Sequence, residues 1–127
     1  MRFLKVLGII ASLAALAASA EAESPNPPKL EGSAALNAIT GSTIVANGQY
    51  GRVVMFIAAD HTLDVFQKGQ RSQDRWSDKG GQFCIEHESH CAKVMLFGTQ
   101  GTLDYDGNVF PFTVETGNQV GTYAAKG

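Results

Sequence analysis

Short apolar segments and tight turns alternate from residue 43 to residue 115, and this pattern constrains the fold more than any other feature of the chain. The segment at residues 50–58 is the clearest strand, because residues 53–57 form a continuous apolar run of strand-favouring types. Asp106-Gly107 is the strongest hairpin signal, since this dipeptide favours the two-residue turn between antiparallel strands. The predicted strands are residues 43–45, 50–58, 63–68, 72–77, 82–86, 91–97, 103–105 and 109–115.

The connections between these strands are too short for the crossover helices that parallel strands require, so the sheet is predicted to be antiparallel. Such a sheet must close or pack on itself to protect its edges. The predicted fold is therefore mainly β: an antiparallel meander of seven to eight strands that forms a small barrel or a strongly curled sheet. A two-sheet sandwich is the alternative. One short N-terminal helix precedes the strands, with Ser33 as its N-cap and Leu36 and Ile39 on one apolar face.

The first 22 residues have the three parts of a secretory signal peptide. Arg2 and Lys5 form a basic start, residues 6–18 are apolar, and small residues follow at the cleavage zone. An apolar run of this length is shorter than the roughly twenty residues that span a bilayer. We therefore expect a periplasmic or secreted protein with no stable membrane insertion after cleavage. A retained membrane anchor is the alternative.

The remaining chain is predicted to hold one domain. Residues 23–32 are expected to be an extended Pro-rich leader, residues 33–116 a single β domain, and residues 117–127 a flexible tail with too few apolar residues to pack. From Glu23 onward, eight Lys and Arg face eleven Asp and Glu, so the net charge is about −3. This balance argues against nucleic acid and against an anionic membrane surface as partners.

The two cysteines flank the densest group of reactive residues, the segment at residues 84–91. If the chain reverses at His87 and Glu88, Cys84 lies directly opposite Cys91, close enough for a cross-strand disulfide. Export to an oxidising compartment favours that bond. The rival interpretations are a zinc or copper site made of the two cysteines with His87 and His90, and free thiols. In the hairpin register the cysteines and histidines point to opposite faces, which disfavours the metal.

The tip of this hairpin is a possible contact loop, and its histidines are predicted to be solvated or, alternatively, to border a ligand opening. Its residues are Glu86, His87, Glu88, Ser89 and His90. Elsewhere His61 is expected in a turn with a left-handed backbone. Asp74 and Asp78 are expected on a solvated face of mixed charge. No catalytic arrangement stands out, so we predict a protein that is not an enzyme and has no cofactor.

Several short motifs resemble those of a group of small bacterial periplasmic proteins of unknown function. These motifs are Leu36…Gly41-x-Thr43-Ile44, Asp60-x-Thr62 at a turn, Trp76, Gly80-Gly81-x-Phe83-Cys84, and Cys91. The group typically has L-x-G-x-T, D-G-T and G-x-W motifs and a pair of cysteines on a lipocalin-like, calycin-type curled sheet. The likeness covers residues 36–97, and the chain departs from the pattern with His61 in place of the turn glycine and with Asp74-Arg75 before Trp76. The resemblance implies the fold and assigns no activity to any residue.

Three functions remain open at this point. The first is a non-enzymatic, exported, barrel-like binding or accessory protein of the cell envelope, with Trp76, Phe83, Phe110 and Phe112 available to line or fill its interior. Its partner would be a small ligand or an envelope protein. The second is a protein-interaction module or enzyme inhibitor that acts through the tip at residues 86–90. The third is a metal-handling periplasmic protein that uses the same tip.

Overall fold

Eight antiparallel strands close into a barrel in the computed structural model, which describes residues 27–49 and 51–126. In the described ranges the elements are β1 (Lys29–Glu31), α1 (Ser33–Ile39), β2 (Ser42–Gly48), β3 (Gly51–Ile57), β4 (Thr62–Gln67), β5 (Gln70–Lys79), β6 (Gln82–Ile85), β7 (Cys91–Phe97), β8 (Gln100–Tyr105), β9 (Asn108–Thr116) and α2 (Val120–Ala125). From β2 to β9 each strand pairs with the next, and β9 pairs back with β2.

The predicted mainly β meander is confirmed, and the barrel is the form it takes. Pairing of Ile44 with Val114 and of Ala46 with Phe112 joins the first barrel strand to the last. Closure leaves the eight strands as one continuous sheet, so the alternative of a two-sheet sandwich is wrong. The ninth strand, β1, pairs with the Met95–Phe97 part of β7, beyond Lys93, which pairs with Gln82 at the start of the short strand β6.

Side chains alternate between the barrel interior and its outer face, as the period of a strand requires. On β9, Phe112 is buried while its neighbours Pro111 and Thr113 are exposed. The interior forms one main apolar cluster, which includes Ile44, Met55, Ile57, Leu63, Val65, Trp76, Phe83, Ala92, Val94, Leu96, Leu103 and Phe112. The alternating strand patterns in the sequence therefore mark the core face.

Helix α1 covers one end of the barrel, which we call the closed end. Ala35, Leu36 and Ile39 are at most 1% exposed and belong to the main apolar cluster. The shared apolar face predicted for Leu36 and Ile39 is confirmed. The predicted N-cap is wrong, because Gly32 occupies the N-cap position and Ser33 is the first helical residue. The Ser33 hydroxyl instead donates to Asp78 Oδ2 at 2.6 Å, which ties the helix to strand β5.

Helix α2 packs on the outside of the barrel, so the expectation of a tail with too few apolar residues to pack is wrong. Val120 is fully buried against an outer patch formed by Val45, Val54 and Phe66. The buried hydroxyl of Thr43 donates to Gly117 O at 2.6 Å and accepts from the Gln119 backbone N–H at 2.8 Å. Tyr123 and Ala124 pack against the same patch, and the Tyr123 hydroxyl donates to Glu115 Oε2 at 2.6 Å, so apolar burial and satisfied polar groups together dock this short segment.

The predicted boundaries of the β domain, residues 33–116, are consequently too narrow. Strand β1 lies in the predicted leader, and α2 lies in the predicted tail. The predicted signal peptide, residues 1–22, falls outside the described residues. Within the part of the chain that the structure describes, no helix is long and apolar enough to cross a membrane.

Candidate functional site

The end of the barrel opposite α1, which we call the open end, contains a cavity of about 390 Å³ that communicates with solvent. The loop between β2 and β3, the loop between β6 and β7, and the last residues of β4 and β8 surround it. An eight-stranded barrel has an interior that is either filled by side chains or able to hold one small ligand. Here the closed half is filled and the open half is hollow.

The cavity has an apolar wall and a polar wall. The apolar wall comes from β2, β3, β8 and β9, with Ala46, Val53, Met55, Leu103, Tyr105 and Phe110. The polar wall comes from β4, β5 and the loop after β6, with Gln67, Ser72, Asp74, Glu88 and His90, and Val65 of β4 and Ile85 of β6 add apolar surface on this side. Strands β5 and β9 are four places apart in either direction around the barrel, so the two walls face each other across the interior.

Two glycines let the aromatic side chains of β9 lie against neighbouring strands. A Cβ at Gly48 would lie 3.1 Å from Phe110 Cδ1. A Cβ at Gly101 would overlap the Met95 carbonyl oxygen and lie 2.5 Å from Phe112 Cζ. Glycine inside a strand often marks such a close approach. Because Gly48 has no side chain, the Phe110 ring can lie close over β2, and this position leaves room in the cavity.

Asp74 is the most tightly held charged group of the cavity. Its Oδ1 accepts a hydrogen bond from the Arg75 backbone N–H at 2.8 Å and lies 2.7 Å from His87 Nδ1. Partial burial of the carboxyl acts to raise its pKa, but these two hydrogen bonds, together with the charge and the backbone N–H of His87, outweigh that effect and lower the pKa of Asp74 below its usual 3.8. The hydrogen bond and the negative charge of Asp74 raise the pKa of His87 above its usual 6.5.

Tyr105 lines the cavity at the end of β8, and its hydroxyl remains neutral over the physiological range. Burial and the negative charge of Glu88 raise the pKa of its hydroxyl to about 12. Its ring packs against Phe110, with centroids 5.8 Å apart. Tyr105 therefore contributes apolar surface and a neutral hydroxyl to the site.

The disulfide between Cys84 and Cys91 is present in the predicted pairing. The two residues are directly opposed across β6 and β7, with their Cα atoms 4.2 Å apart. Because the disulfide consumes both thiols, they do not serve as metal ligands. In residues 27–49 and 51–126, no three His, Cys, Asp or Glu side chains are grouped so that they could hold a metal ion.

The loop at residues 86–90 divides between the cavity and the outer surface. Glu88 and His90 line the cavity, and His87 reaches Asp74 on the polar wall. Glu86 forms an ion pair with Arg75 at 3.7 Å, and Ser89 is exposed. Whether this loop contacts a partner stays a prediction.

The interpretation of a solvated face of mixed charge is wrong for Asp74, which lines the cavity and is only partly exposed, but agrees with the exposure of Asp78, which bonds Ser33 at the closed end. The two-residue spacing of Asp74 from Trp76, a residue of the core, was the signal that could have placed its side chain inside.

The large aromatic residues are divided between the filled half and the hollow half of the barrel. Trp76 and Phe83 belong to the filled half, with ring centroids 6.1 Å apart, whereas Phe110 lines the cavity. His61 stacks on Trp76 with centroids 4.4 Å apart, and its Nδ1 lies 3.0 Å from Trp76 O. Its φ of 73° confirms the predicted left-handed turn. These contacts give His61 a structural role in anchoring the turn after β3.

Comparison of the chain with models of protein families, with curated proteins and with solved structures finds no match. The likeness to small periplasmic proteins with a lipocalin-like sheet therefore stays a prediction from sequence motifs. The functional argument rests on the cavity and its walls.

Proposed function

We propose that the protein is a non-enzymatic, exported binding protein of the cell envelope that holds one small, largely apolar ligand at the open end of its barrel. The observation that carries this proposal is the cavity of about 390 Å³ above a filled core. Ligand sites are typically concave, about 300–1,000 Å³ in volume, mostly apolar, and equipped with a few convergent polar groups. The two opposed walls of this cavity have that composition.

Export is supported by two features of the chain. Residues 1–22 carry the signal-peptide pattern, and the structure contains a disulfide, which persists in oxidising compartments. The disulfide also holds the loop that forms the rim of the cavity. Covalent closure at the rim would favour ligand binding by reducing the conformational freedom lost when the ligand enters.

Filling the cavity tests the proposal. The variant Val53→Trp adds a large ring at the apolar wall, and Val109→Trp adds the same ring on the outer face of β9, where Val109 is 52% exposed. We expect the uncharged fluorescent probe N-phenyl-1-naphthylamine to bind saturably to the purified protein. Val53→Trp should weaken this binding at least about tenfold, because the added ring occupies the ligand volume, while Val109→Trp leaves it unchanged.

Equal binding of the probe by Val53→Trp and the unmodified protein would place the probe outside the barrel and contradict the proposal. Native mass spectrometry of protein purified from its own compartment gives an independent reading. A reproducible added mass that Val53→Trp loses supports a carrier, and a mass that is always ligand-free opposes one.

Protein recognition through the loop at residues 86–90 is the second candidate. All five of its residues are exposed, and the disulfide together with the Glu86–Arg75 and His87–Asp74 contacts holds it in place. A held, protruding loop loses little freedom when a partner binds. Affinity capture with the double variant His87→Ala and His90→Ala tests this function, and unchanged recovery of a specific partner would remove the loop from consideration.

A further inference from the structure

We propose that the ligand carries a protonated amine at one end of its apolar body and that the Asp74 carboxylate receives this amine. The inference rests on the proposed function, because it takes the cavity to be the ligand site. It goes further by assigning the chemical class of the ligand. Three features of the cavity carry it: the sign of its charges, the remaining hydrogen-bond capacity of the Asp74 carboxylate, and the position of the apolar wall.

The charged groups that line the cavity are predominantly negative. Asp74 and Glu88 contribute carboxylates, and the described lining contains no Lys or Arg. His90 is the one histidine among the lining residues, and the ring of His87 bonds Asp74. An anionic ligand would therefore meet two carboxylates without a permanent cation, whereas an ammonium group would be attracted.

The hydrogen bonds of Asp74 leave part of its acceptor capacity available. In the described residues three donors act on the carboxylate: the Arg75 backbone N–H and the His87 ring, which bond to Oδ1, and the His87 backbone N–H. The Asp74 side chain is only 18% exposed, so solvent reaches it incompletely. A carboxylate has capacity for about four hydrogen bonds. An ammonium donor from a ligand would supply a charge-assisted bond, which is about twice as strong as a neutral one.

The apolar wall lies where the rest of such a ligand would extend. Strand β9 is opposite β5 in the barrel, so Phe110 lies across the interior from Asp74. Met55 and Leu103 add aliphatic surface beside it. A ligand that spans the cavity thus meets a carboxylate at one end and aromatic and aliphatic surface at the other.

Three probes with the same phenyl body and different end groups test the inference: 2-phenylethylamine, 2-phenylethanol and phenylacetate. Each is titrated into the purified protein at about pH 8, where an aliphatic amine is still protonated and a carboxylic acid is ionised. Dissociation constants and binding positions come from backbone amide shifts in NMR spectra. We expect the amine to bind at least about tenfold tighter than the alcohol, and phenylacetate to bind weakest.

The outcomes separate this inference from the proposed function. If the alcohol binds in the cavity as tightly as the amine, or tighter, the amine assignment is overturned and the cavity remains a ligand site. If none of the three probes shifts the amides of cavity residues, and N-phenyl-1-naphthylamine does not bind either, the proposed function fails as well.

Two variants identify the receiving group. Asp74→Asn keeps the shape of the side chain and should reduce the preference for amine over alcohol to about threefold or less, without changing the affinity for the alcohol. Asp106→Asn is the matched control, because it removes the same charge at an exposed turn whose φ of 54° asparagine tolerates. If the Asp74 variant does not fold, Glu88→Gln in the exposed loop should still lower the preference measurably. An unchanged preference in every folded variant of Asp74 and Glu88 would overturn the assignment.

Discussion

The two ends of the barrel are built from the same strands, but a helix covers only one of them. At the closed end, Leu36 and Ile39 of α1 pack into the apolar cluster that contains Trp76 and Phe83. At the open end no helix covers the strands, and residues such as Val53 and Phe110 border a cavity. The closed end therefore supplies packing energy, and the open end retains a surface on which a ligand can bind.

The difference between the two ends explains how a small domain can remain folded with half of its interior unfilled. A chain of this size has limited apolar surface to bury, so the packed half must be dense. The covalent link between Cys84 and Cys91 lies next to the open end and compensates in part for contacts that the cavity removes. Stability and binding are thus assigned to different parts of one sheet.

The largest expected difference between the ends concerns identical truncations. Leu36→Ala at the closed end should lower the free energy of unfolding by about 4 kcal/mol, whereas Leu103→Ala beside the cavity should lower it by about 2 kcal/mol. Leu36 is enclosed by packed side chains, and Leu103 borders space that is already empty. Urea unfolding of the two variants measures the difference. Equal losses would show that the open end is packed as densely as the closed end.

Removal of the disulfide should affect the open end more than the closed end. The double variant Cys84→Ala and Cys91→Ala should lower the free energy of unfolding by about 2–3 kcal/mol, because the unfolded chain regains the conformational entropy that the closed ring removes. Hydrogen exchange should accelerate most at residues 86–90 and least in α1. Uniform acceleration across the barrel would mean that the disulfide stabilises the whole fold and not its rim.

A single hydrogen bond of the closed end provides a finer comparison. Ser33→Ala removes the donor to Asp78 and should lower the free energy of unfolding by about 0.5–1 kcal/mol, because this bond holds α1 on the barrel. Ser89→Ala in the open-end loop is the matched control and should change it by less than about 0.5 kcal/mol. Chemical denaturation measures both, and a larger loss for Ser89→Ala would reverse the expected order.

The smallest effect expected is a shift in the titration of His87. Its pKa should lie above 6.5 and should fall toward that value in Asp74→Asn, while Asp106→Asn leaves it unchanged.

The contact between His87 and Asp74 also makes stability depend on pH. Because folding raises the pKa of His87, the stabilisation contributed by His87 is fully present below pH 6.5 and is lost as the pH rises through the folded value. The lowered pKa of Asp74 means that its stabilisation is present above pH 3.8 and is lost as the pH falls through the folded value. NMR of the imidazole through a pH series checks these directions, and an unshifted His87 would show that the pair does not persist in solution.

Much of the fold could be predicted because its signals are local. Phe110 and Phe112 alternate with exposed residues, so the inward face of β9 could be identified from the sequence. The hairpin register likewise placed Cys84 opposite Cys91. The candidate site was predicted only in part: His87 and His90 were recognised as tip residues, with a ligand opening as one alternative. Asp74 was assigned to the wrong face, because neighbouring Arg71 and Arg75 obscured its alternation with Trp76.

The sequence by itself determined the strands, their antiparallel order, the turn at His61 and the disulfide, since each depends on residues close together in the chain. Only the tertiary structure decided that β2 closes on β9, that Val120 docks outside the barrel, and that one half of the interior is empty. Those features depend on how side chains from distant strands fill a shared volume. Strand periodicity specifies the direction in which a side chain points, but whether a barrel is filled or hollow follows from the summed sizes of all the side chains that meet inside it.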